Sequence, residues 1–408
     1  MAVAAARLTA AAFRSVGVQA TVTPDSAAET LELGGLYSSG EECLPHKITI
    51  GDFLRVCRSP GFDARRTAFF MPAANGPCRF GQYSDYLRRT LDELGHGDAL
   101  VVSPTTADGY DGVGEHASEL KRTVWLAIVV GDIFTKLLLK TRPYETTAGD
   151  ADTAFDASLT DAERVLADGG LKIKGRLAGL VGAVTRGRDR FRAIPARYER
   201  GRPLIGLVGE IFCRMNTFSN EDTARRIERL GGECWLSDIC EWIWYTNWWR
   251  EYDEARTRGR FTLPMLKLKL KARYQHHYEQ TLLAPVRDDF VGHEEPHDVR
   301  IVLKNAAKYL PATGALGEMV LSVGKAIYLY GKGADGIIDI SPFTCMNGIV
   351  AEAVYPAVSE DHDHIPIRSL YFDKVNTHID RDLEIFLELA RAYQHRKKHA
   401  RVYPGRFT

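Results

Sequence analysis

The chain has 408 residues with 53 basic and 53 acidic side chains, so its formal net charge is zero. A neutral chain gives no electrostatic reason to expect nucleic acid or an anionic membrane surface as a partner. Apolar residues make up 45% of the sequence and charged residues 26%, which is ordinary for a globular protein of two or three domains.

The first 115 residues are predicted to form an α/β lobe, because short apolar runs alternate in them with helical patterns. An α/β domain usually opens with a strand, whereas this chain opens with a helical pattern. We therefore expect the lobe to lack its first strand at this start. The predicted helices are at residues 4–16, 50–56 and 83–94, and the predicted strands at 18–23, 67–71 and 99–103.

Residues 116–200 are predicted to be a helical insert, with helical periodicity at 120–139 and 162–198. A second α/β lobe is expected over residues 201–408, with a mainly helical segment at 240–330. Strands alternating with helices indicate a mostly parallel sheet in each lobe. In the second lobe the predicted strands are at 203–211, 233–236, 336–341 and 367–372, and the helices outside the segment 240–330 are at 220–230, 346–358 and 380–395.

Three cysteines, Cys43, Cys78 and Cys345, lie in turns just before predicted helices, and the last two turns follow predicted strands. Such loops gather at the carboxyl edge of an open α/β sheet, where ligands usually bind. Three thiolates meeting there would hold a metal cluster, with helix N-termini offsetting its negative charge. The alternative is that they are three unpaired buried thiols.

Four further residues are candidates for the same site. Gly76 would let the backbone approach the cluster closely, and Arg79 would place a positive charge beside Cys78. Glu210 and Glu318, buried in a cleft between the lobes, would have raised pKa values and act as catalytic acid or base. The alternative for both carboxylates is a structural role in helix capping or ion pairing.

The seven cysteines are odd in number and irregularly spaced, which is not a disulfide framework. Free thiols favour a reducing compartment, so we expect a cytoplasmic protein. Cys213, Cys234 and Cys240 would either ligate a second cubane or pack as small apolar side chains. Five of the six tryptophans fall within residues 235–249, which is typical of a helix core or of a subunit interface in a dimer.

Four segments carry a family resemblance: Glu-Cys-Leu-Pro-His-Lys at 42–47, Gly-Pro-Cys-Arg-Phe-Gly-Gln-Tyr at 76–83, Val-Gly-Glu-Ile-Phe at 208–212 and Pro-Phe-Thr-Cys-Met at 342–346. In this order they resemble the 2-hydroxyacyl-CoA dehydratase component-D family. Within that family the chain is most similar to the branch with activase-related and double-cubane-cluster proteins.

The resemblance implies two flavodoxin-like parallel-sheet lobes with helical insertions and an oxygen-sensitive 4Fe-4S cluster between them. It implies ligands at Cys43, Cys78 and Cys345, and a double cubane in some relatives. It also implies that an ATP-hydrolysing activase delivers electrons, which pass to an acyl-CoA or another small molecule. The alternatives are a non-catalytic electron-relay or regulatory subunit of such a system, and a metal-free α/β scaffold.

Overall fold

The computed structural model describes residues 2–74, 76–105, 117–313, 317–374 and 379–407. Within them the chain is a mixed α/β protein with two parallel sheets, of two and four strands. The strands are β1 (Ala68–Phe70), β2 (Leu100–Val102), β3 (Leu204–Gly209), β4 (Glu233–Leu236), β5 (Gly336–Pro342) and β6 (Ile367–Phe372). The α-helices are α1 (Val3–Arg14), α2 (Ala28–Leu36), α3 (Leu44–Cys57), α4 (Tyr83–Glu93), α5 (Ala117–Thr141), α6 (Asp150–Ala167), α7 (Ile173–Ala193), α8 (Ile211–Met215), α9 (Thr223–Arg229), α10 (Ile239–Thr257), α11 (Leu263–Leu283), α12 (Val299–Ala306), α13 (Met319–Gly331), α14 (Met346–Asp361) and α15 (Ile379–Gln394).

The larger sheet has the order β4-β3-β5-β6, with all neighbours parallel. Every residue of β3 and β5 is buried, as expected for central strands covered on both faces. On one face the sheet packs against α12, α13 and α14, and on the other against α9 and α15. The strand order reverses between β3 and β5, and the carboxyl ends of strands at such a reversal are where open α/β sheets usually bind ligands.

The smaller sheet pairs β1 with β2, and α2, α3 and α4 supply its apolar cover. Helix α3 also reaches the larger sheet, because Leu44 and Ile48 belong to the apolar core on the α9–α15 face of that sheet. The first turn of α3 therefore links the two sheets. This contact fixes the position of Cys43, the residue that precedes the helix.

A third core is built by α1, α5, α6, α7, α10 and α11. Helix α1, which the sequence pattern places in the first lobe, packs here instead, with Leu8 and Ala11 fully buried. Periodicity predicts that a helix is amphipathic but not which core covers its apolar face. None of the helices among the described residues is sufficiently long and apolar to traverse a bilayer.

One local prediction is wrong. Residues 18–23 form neither strand nor helix, and Val18 and Val22 are exposed there because no neighbouring strand pairs with them. The helical pattern at 162–198 is confirmed, with a break after Ala167 at Asp168-Gly169-Gly170, where glycine disfavours helix continuation. The mainly helical segment at 240–330 is confirmed too: α11 packs in the third core, α12 and α13 pack on the sheet, and α10 contributes to both cores.

A buried ionic group joins the C-terminal tail to the larger sheet and to α5. Glu233 of β4 is fully buried and accepts a hydrogen bond from Arg401 at 2.5 Å, and Lys140 lies 3.8 Å from its other carboxylate oxygen. His293 lies 3.1 Å from Glu233 and stacks on Trp235 at 4.7 Å between ring centroids. Buried charges are tolerated in this way only when they are paired.

We expect His293 to make the stability of the fold depend on pH below 6.5. Burial and the nearby Lys140 cation lower the pKa of His293 to about 3. Between this value and the ordinary pKa of about 6.5, His293 binds a proton in the unfolded chain but not in the folded protein. The free energy of unfolding is therefore greatest above pH 6.5 and falls as the pH drops. At pH 4.5 the loss due to His293 is about 3 kcal/mol.

Urea unfolding of the wild type and of His293→Asn at pH 7 and pH 4.5 measures this effect. The shared titration of other groups cancels in the comparison, so the wild type should lose more stability than the variant. Equal losses in the two proteins would show that His293 titrates normally in the folded state.

Candidate functional site

Cys43, Cys78 and Cys345 occupy the same structural position, each at the N-cap of a helix. Cys43 precedes α3, Cys78 precedes the 3₁₀ helix Arg79–Gln82, and Cys345 precedes α14. Main-chain N–H groups at a helix start lack partners within the helix. Here the N–H of Phe80 donates to the Cys78 sulfur at 3.5 Å.

At the other two helix starts the sulfur makes no capping hydrogen bond. The main-chain N–H of His46 donates to the main-chain oxygen of Cys43 at 3.0 Å. The nearby N–H groups of His46, and of Gly348 and Asn347, act to lower the pKa values of Cys43 and Cys345 respectively. Helix N-termini favour negative charge, so all three positions are suited to thiolates. The prediction that each of the three cysteines lies in a turn just before a helix is thus confirmed.

The three cysteines gather around one carboxylate. The charge of Glu210, which directly follows β3, acts to raise the pKa of Cys43, Cys78 and Cys345 alike, and the charge of Cys43 acts on Cys78. Glu210 and Cys345 lie just beyond the carboxyl ends of β3 and β5. Glu210 and Cys345 therefore lie where the strand order of the larger sheet reverses, and the charge of Glu210 relates Cys43 and Cys78 to the same place.

Without a bound cation the three thiols are protonated at neutral pH. Burial, followed by the Glu210 charge, raises the pKa of Cys345 to about 12. Burial raises the pKa of Cys78 to about 11, because neighbouring chain desolvates the thiol although the residue as a whole is exposed. Burial raises the pKa of Cys43 as well. Metal binding would have to release these protons, since thiolates are the ligands.

Two contacts tie the Cys43 and Cys78 loops together. The hydroxyl of Tyr83, at the start of α4, lies 2.8 Å from the Cys43 sulfur. Arg79 donates to the main-chain oxygen of Glu41 at 2.5 Å, and its charge acts to lower the pKa of Cys43. Arg79 thus serves the Cys43 loop as well as its own.

Glu210 and Glu318 form a carboxylate pair beside the thiols. Glu210 is the N-cap of α8 and accepts from the N–H groups of Phe212 at 3.0 Å and Cys213 at 2.7 Å. Glu318 is buried and accepts from the N–H of Ile211 at 2.9 Å. Burial and the charge of Glu210 raise the pKa of Glu318 well above its usual range. Burial therefore favours the protonated form of Glu318, while Glu210 caps a helix.

Gly76 lies in the exposed turn before Cys78, with a φ of +140° that favours glycine. Gly81, in the 3₁₀ helix that follows, supplies a close backbone approach, because a Cβ there would lie 2.8 Å from the main-chain oxygen of Ala74. Both glycines shape the loop that presents Cys78.

Of the remaining cysteines, Cys213 shares the Glu210 carboxylate with the three loop thiols. It is fully buried, and burial, followed by the charges of Glu210 and Cys345, raises its pKa. Cys234 donates to the main-chain oxygen of Ala224 at 3.7 Å. Cys213 and Cys234 belong to the core on the α9–α15 face of the larger sheet, and Cys240 packs in the third core. All seven cysteines are free thiols.

The donor set at this site consists of three cysteine sulfurs, and cysteine sulfur is the usual ligand of iron–sulfur clusters. Among the described residues, no three histidine, cysteine, aspartate or glutamate side chains surround a point as ligands of a single ion. If a cluster binds here, Cys43, Cys78 and Cys345 would hold it.

Three residues of the site were not singled out from the sequence: Tyr83, Arg214 and Asp339. Arg214 is buried, and its cation acts to lower the raised pKa values of Glu210, Glu318 and Asp339. Asp339 accepts from Ser341 at 2.8 Å and Tyr355 at 2.5 Å within the sheet. A charged residue inside an otherwise apolar predicted strand was the available signal for Asp339.

The position of Cys43 depends on a close crossing of α2 and α3, which yields a prediction. A Cβ at Gly34 would lie 1.8 Å from the main-chain oxygen of Lys47, whereas a Cβ at Gly35 would meet nothing within 4 Å. We expect Gly34→Ala to destabilise the protein by about 3 kcal/mol through forced separation of the helices. Gly35→Ala should be neutral or stabilise it by up to about 1 kcal/mol.

Urea unfolding of the two variants measures the difference, and each serves as the other's control for helix propensity. Similar stabilities would show that the α2–α3 crossing is looser than the structure indicates.

No protein-family model matches this chain, and no curated protein matches it.

Proposed function

We propose that Cys43, Cys78 and Cys345 hold a 4Fe-4S cluster, and that the chain is the electron-accepting component of an activase-dependent system of the 2-hydroxyacyl-CoA dehydratase type. The observation that carries this proposal is that three cysteines at helix N-cap positions lie within the electrostatic influence of Glu210. Held by three cysteines, a cubane supplies one-electron transfer and keeps one iron open to a substrate oxygen.

The sheet supports the flavodoxin-like part of the proposal. Numbered from β3, the order β4-β3-β5-β6 reads 2-1-3-4, which is the flavodoxin-like order without its fifth strand. In that architecture ligands bind at the strand-order reversal, between the carboxyl ends of the first and third strands. Glu210 and Cys345 follow those two strands here.

Residues of this chain would stabilise negative charge at the site and supply a proton there. The helix starts at Cys43 and Cys345 stabilise negative charge on sulfur. Burial and the Glu210 charge raise the pKa of Glu318 well above its usual range, which suits this carboxyl group to donate a proton or a hydrogen bond to a bound small molecule. Glu210 orients α8, which places Ile211 N–H against Glu318.

An electron relay without chemistry of its own is the second candidate, and the surface position of the thiols favours it. Cys78 is exposed, and Phe343, Met346 and Ile349 beside Cys345 are 58%, 40% and 52% exposed. A site so close to the surface is reached by a protein redox partner. The two candidates share the same cluster and the same cytoplasmic setting.

Anaerobic production of the protein, followed by assays of iron, acid-labile sulfide and the paramagnetic signal after reduction, tests the proposal. We expect about four iron and four sulfide per chain, whereas about eight of each would assign a second cubane. A colourless, iron-free protein after anaerobic reconstitution would refute the cluster. If the protein dehydrates a 2-hydroxyacyl-CoA in the presence of activase and ATP, the result favours the enzymatic function. If the protein contains the cluster but does not turn over this substrate, the result favours the electron relay.

A further inference from the structure

The end of α10 and the first half of α11 form a strongly basic tip on a neutral protein. Residues 255–278 include seven lysines and arginines and no aspartate or glutamate. They cover the last turn of α10, the connection between the helices and the first four turns of α11. The zero net charge of the whole chain therefore conceals a local cluster of positive charge.

The same tip exposes large apolar side chains. Phe261 is fully exposed, and Leu263, Leu266 and Leu270 are 75%, 54% and 56% exposed. The spacing of three and four residues places the three leucines on one face of α11. The opposite face is anchored, since Met265 and Gln275 are buried and the main-chain oxygen of Gln275 accepts from Trp125. The leucines consequently cannot turn inward.

Basic side chains flank this apolar stripe. In the helix, Lys267 projects on one side of the leucines and Lys269 and Arg273 on the other. These three, together with Arg256 and Arg260, are exposed. Among the described residues, the five form no ion pair and no side-chain hydrogen bond, so their charges face solvent. An apolar stripe bordered by lysine and arginine is the pattern of helices that lie in a membrane interface.

We propose that the tip formed by residues 256–273 docks on an anionic lipid surface. In this arrangement α11 lies along the membrane plane, Phe261 and the three leucines enter the headgroup region, and the flanking lysines and arginines contact lipid phosphates. No residue of the tip belongs to the cysteine site, so this proposal stands or falls independently of the proposed cluster.

A lipid surface explains the tip better than a protein partner does. Lysine is depleted at protein–protein interfaces, whereas two unpaired lysines border the stripe here. A stable protein interface also buries about 800 Å² on each side, and four side chains at a projecting tip supply much less. Charge complementarity with anionic headgroups accounts for both the unpaired cations and the apolar residues between them.

Co-sedimentation of the full chain with lipid vesicles tests the proposal. The vesicles contain phosphatidylcholine alone or with about one third phosphatidylserine, in buffer of about 0.15 M ionic strength. We expect binding only to the phosphatidylserine vesicles, and weaker binding at higher salt. Lys267→Glu with Lys269→Glu should weaken the binding at least about tenfold, because four units of charge change at the surface. Leu266→Ser with Leu270→Ser should weaken it while leaving the charge intact.

Matched controls come from other exposed helix faces. Lys174→Glu with Lys304→Glu makes the same change of net charge elsewhere, and Ile385→Ser with Leu389→Ser removes exposed apolar side chains of α15. Both controls should bind the vesicles as the wild type does. The proposal is overturned if the wild type does not bind anionic vesicles, or if the controls lose as much binding as the tip variants.

Two other outcomes would also overturn it. In the first, the protein does not bind vesicles but dimerises as its concentration rises, and Leu266→Ser with Leu270→Ser abolishes the dimer. This result would assign the tip to a second copy of this chain. In the second, the protein binds heparin or DNA but not vesicles. If the lysine variant loses this binding and the leucine variant keeps it, the tip binds a polyanion instead.

Discussion

Cys78→Ser, Cys43→Ser and Cys345→Ser should each lose iron at least about tenfold more readily than the wild type when challenged with a chelator under anaerobic conditions. Each change removes one of the three thiols around Glu210. Serine preserves the size of the side chain and its capping capacity, so the fold should persist. Iron content after gel filtration and the visible absorbance of the cluster measure the loss.

Cys57→Ser is the matched control. Cys57 is half-buried at the end of α3, the helix that Cys43 begins, and lies at the opposite end from the site. It should retain wild-type iron, with a thermal midpoint close to that of the three site variants. If Cys57→Ser and Cys78→Ser retain the same amount of iron, Cys78 is not a ligand of the cluster.

Glu233→Ala should be among the most destabilising single substitutions in the chain, at about 3–5 kcal/mol. Its carboxylate is fully buried, and Arg401 and Lys140 depend on it for charge pairing. Its removal would leave those cations in the interior without their partner, which costs more than the original pair contributes. The tail at residues 400–407 should detach at the same time, because Arg401 holds it to β4.

Urea unfolding, with limited proteolysis of the C-terminal tail, measures both effects. Glu29→Ala provides the comparison, since the Glu29–Arg55 pair at 3.2 Å is exposed and is worth less than about 1 kcal/mol. A cost for Glu233→Ala as small as that of Glu29→Ala would mean that water or another group replaces the carboxylate.

Sequence patterns predicted local structure best where turn residues mark both ends of an element. The strands at 233–236 and 367–372 were predicted with the bounds of β4 and β6, because each is a short β-rich run between turn residues. The start of α3 was placed six residues too late. Pro45 at the second helical position is compatible with a helix that starts immediately after Cys43.

Long-range packing could not be predicted in the same way. The alanine-rich face of α1 is suited to close helix packing, but nothing local indicates that α5 and α6 provide the partner surface. The ionic group around Glu233 joins residues 140, 233, 293 and 401, and no spacing along the chain reveals it. Pairing decides whether a buried charge is tolerated, and pairing is a property of the folded chain.

The site lies between these two cases. Each cysteine was expected before a helix, and Cys43, Cys78 and Cys345 are helix N-caps. Their separations of 35 and 267 residues follow no short ligand motif. Cys345 follows β5, whereas Cys43 is positioned by the packing of the first turn of α3 on the larger sheet, so only the folded chain relates the loops to one another. Raised pKa values were expected for Glu210 and Glu318 on burial, and burial raises both, but their proximity to each other was not accessible from the sequence.

The most direct measurement is a crystal structure of the anaerobically reconstituted protein with diffraction recorded above and below the iron absorption edge. We expect one strong iron peak beside Glu210, bounded by the sulfur atoms of Cys43, Cys78 and Cys345. An iron peak held by other residues, or a fully reconstituted crystal with no iron between these three sulfurs, would contradict this expectation.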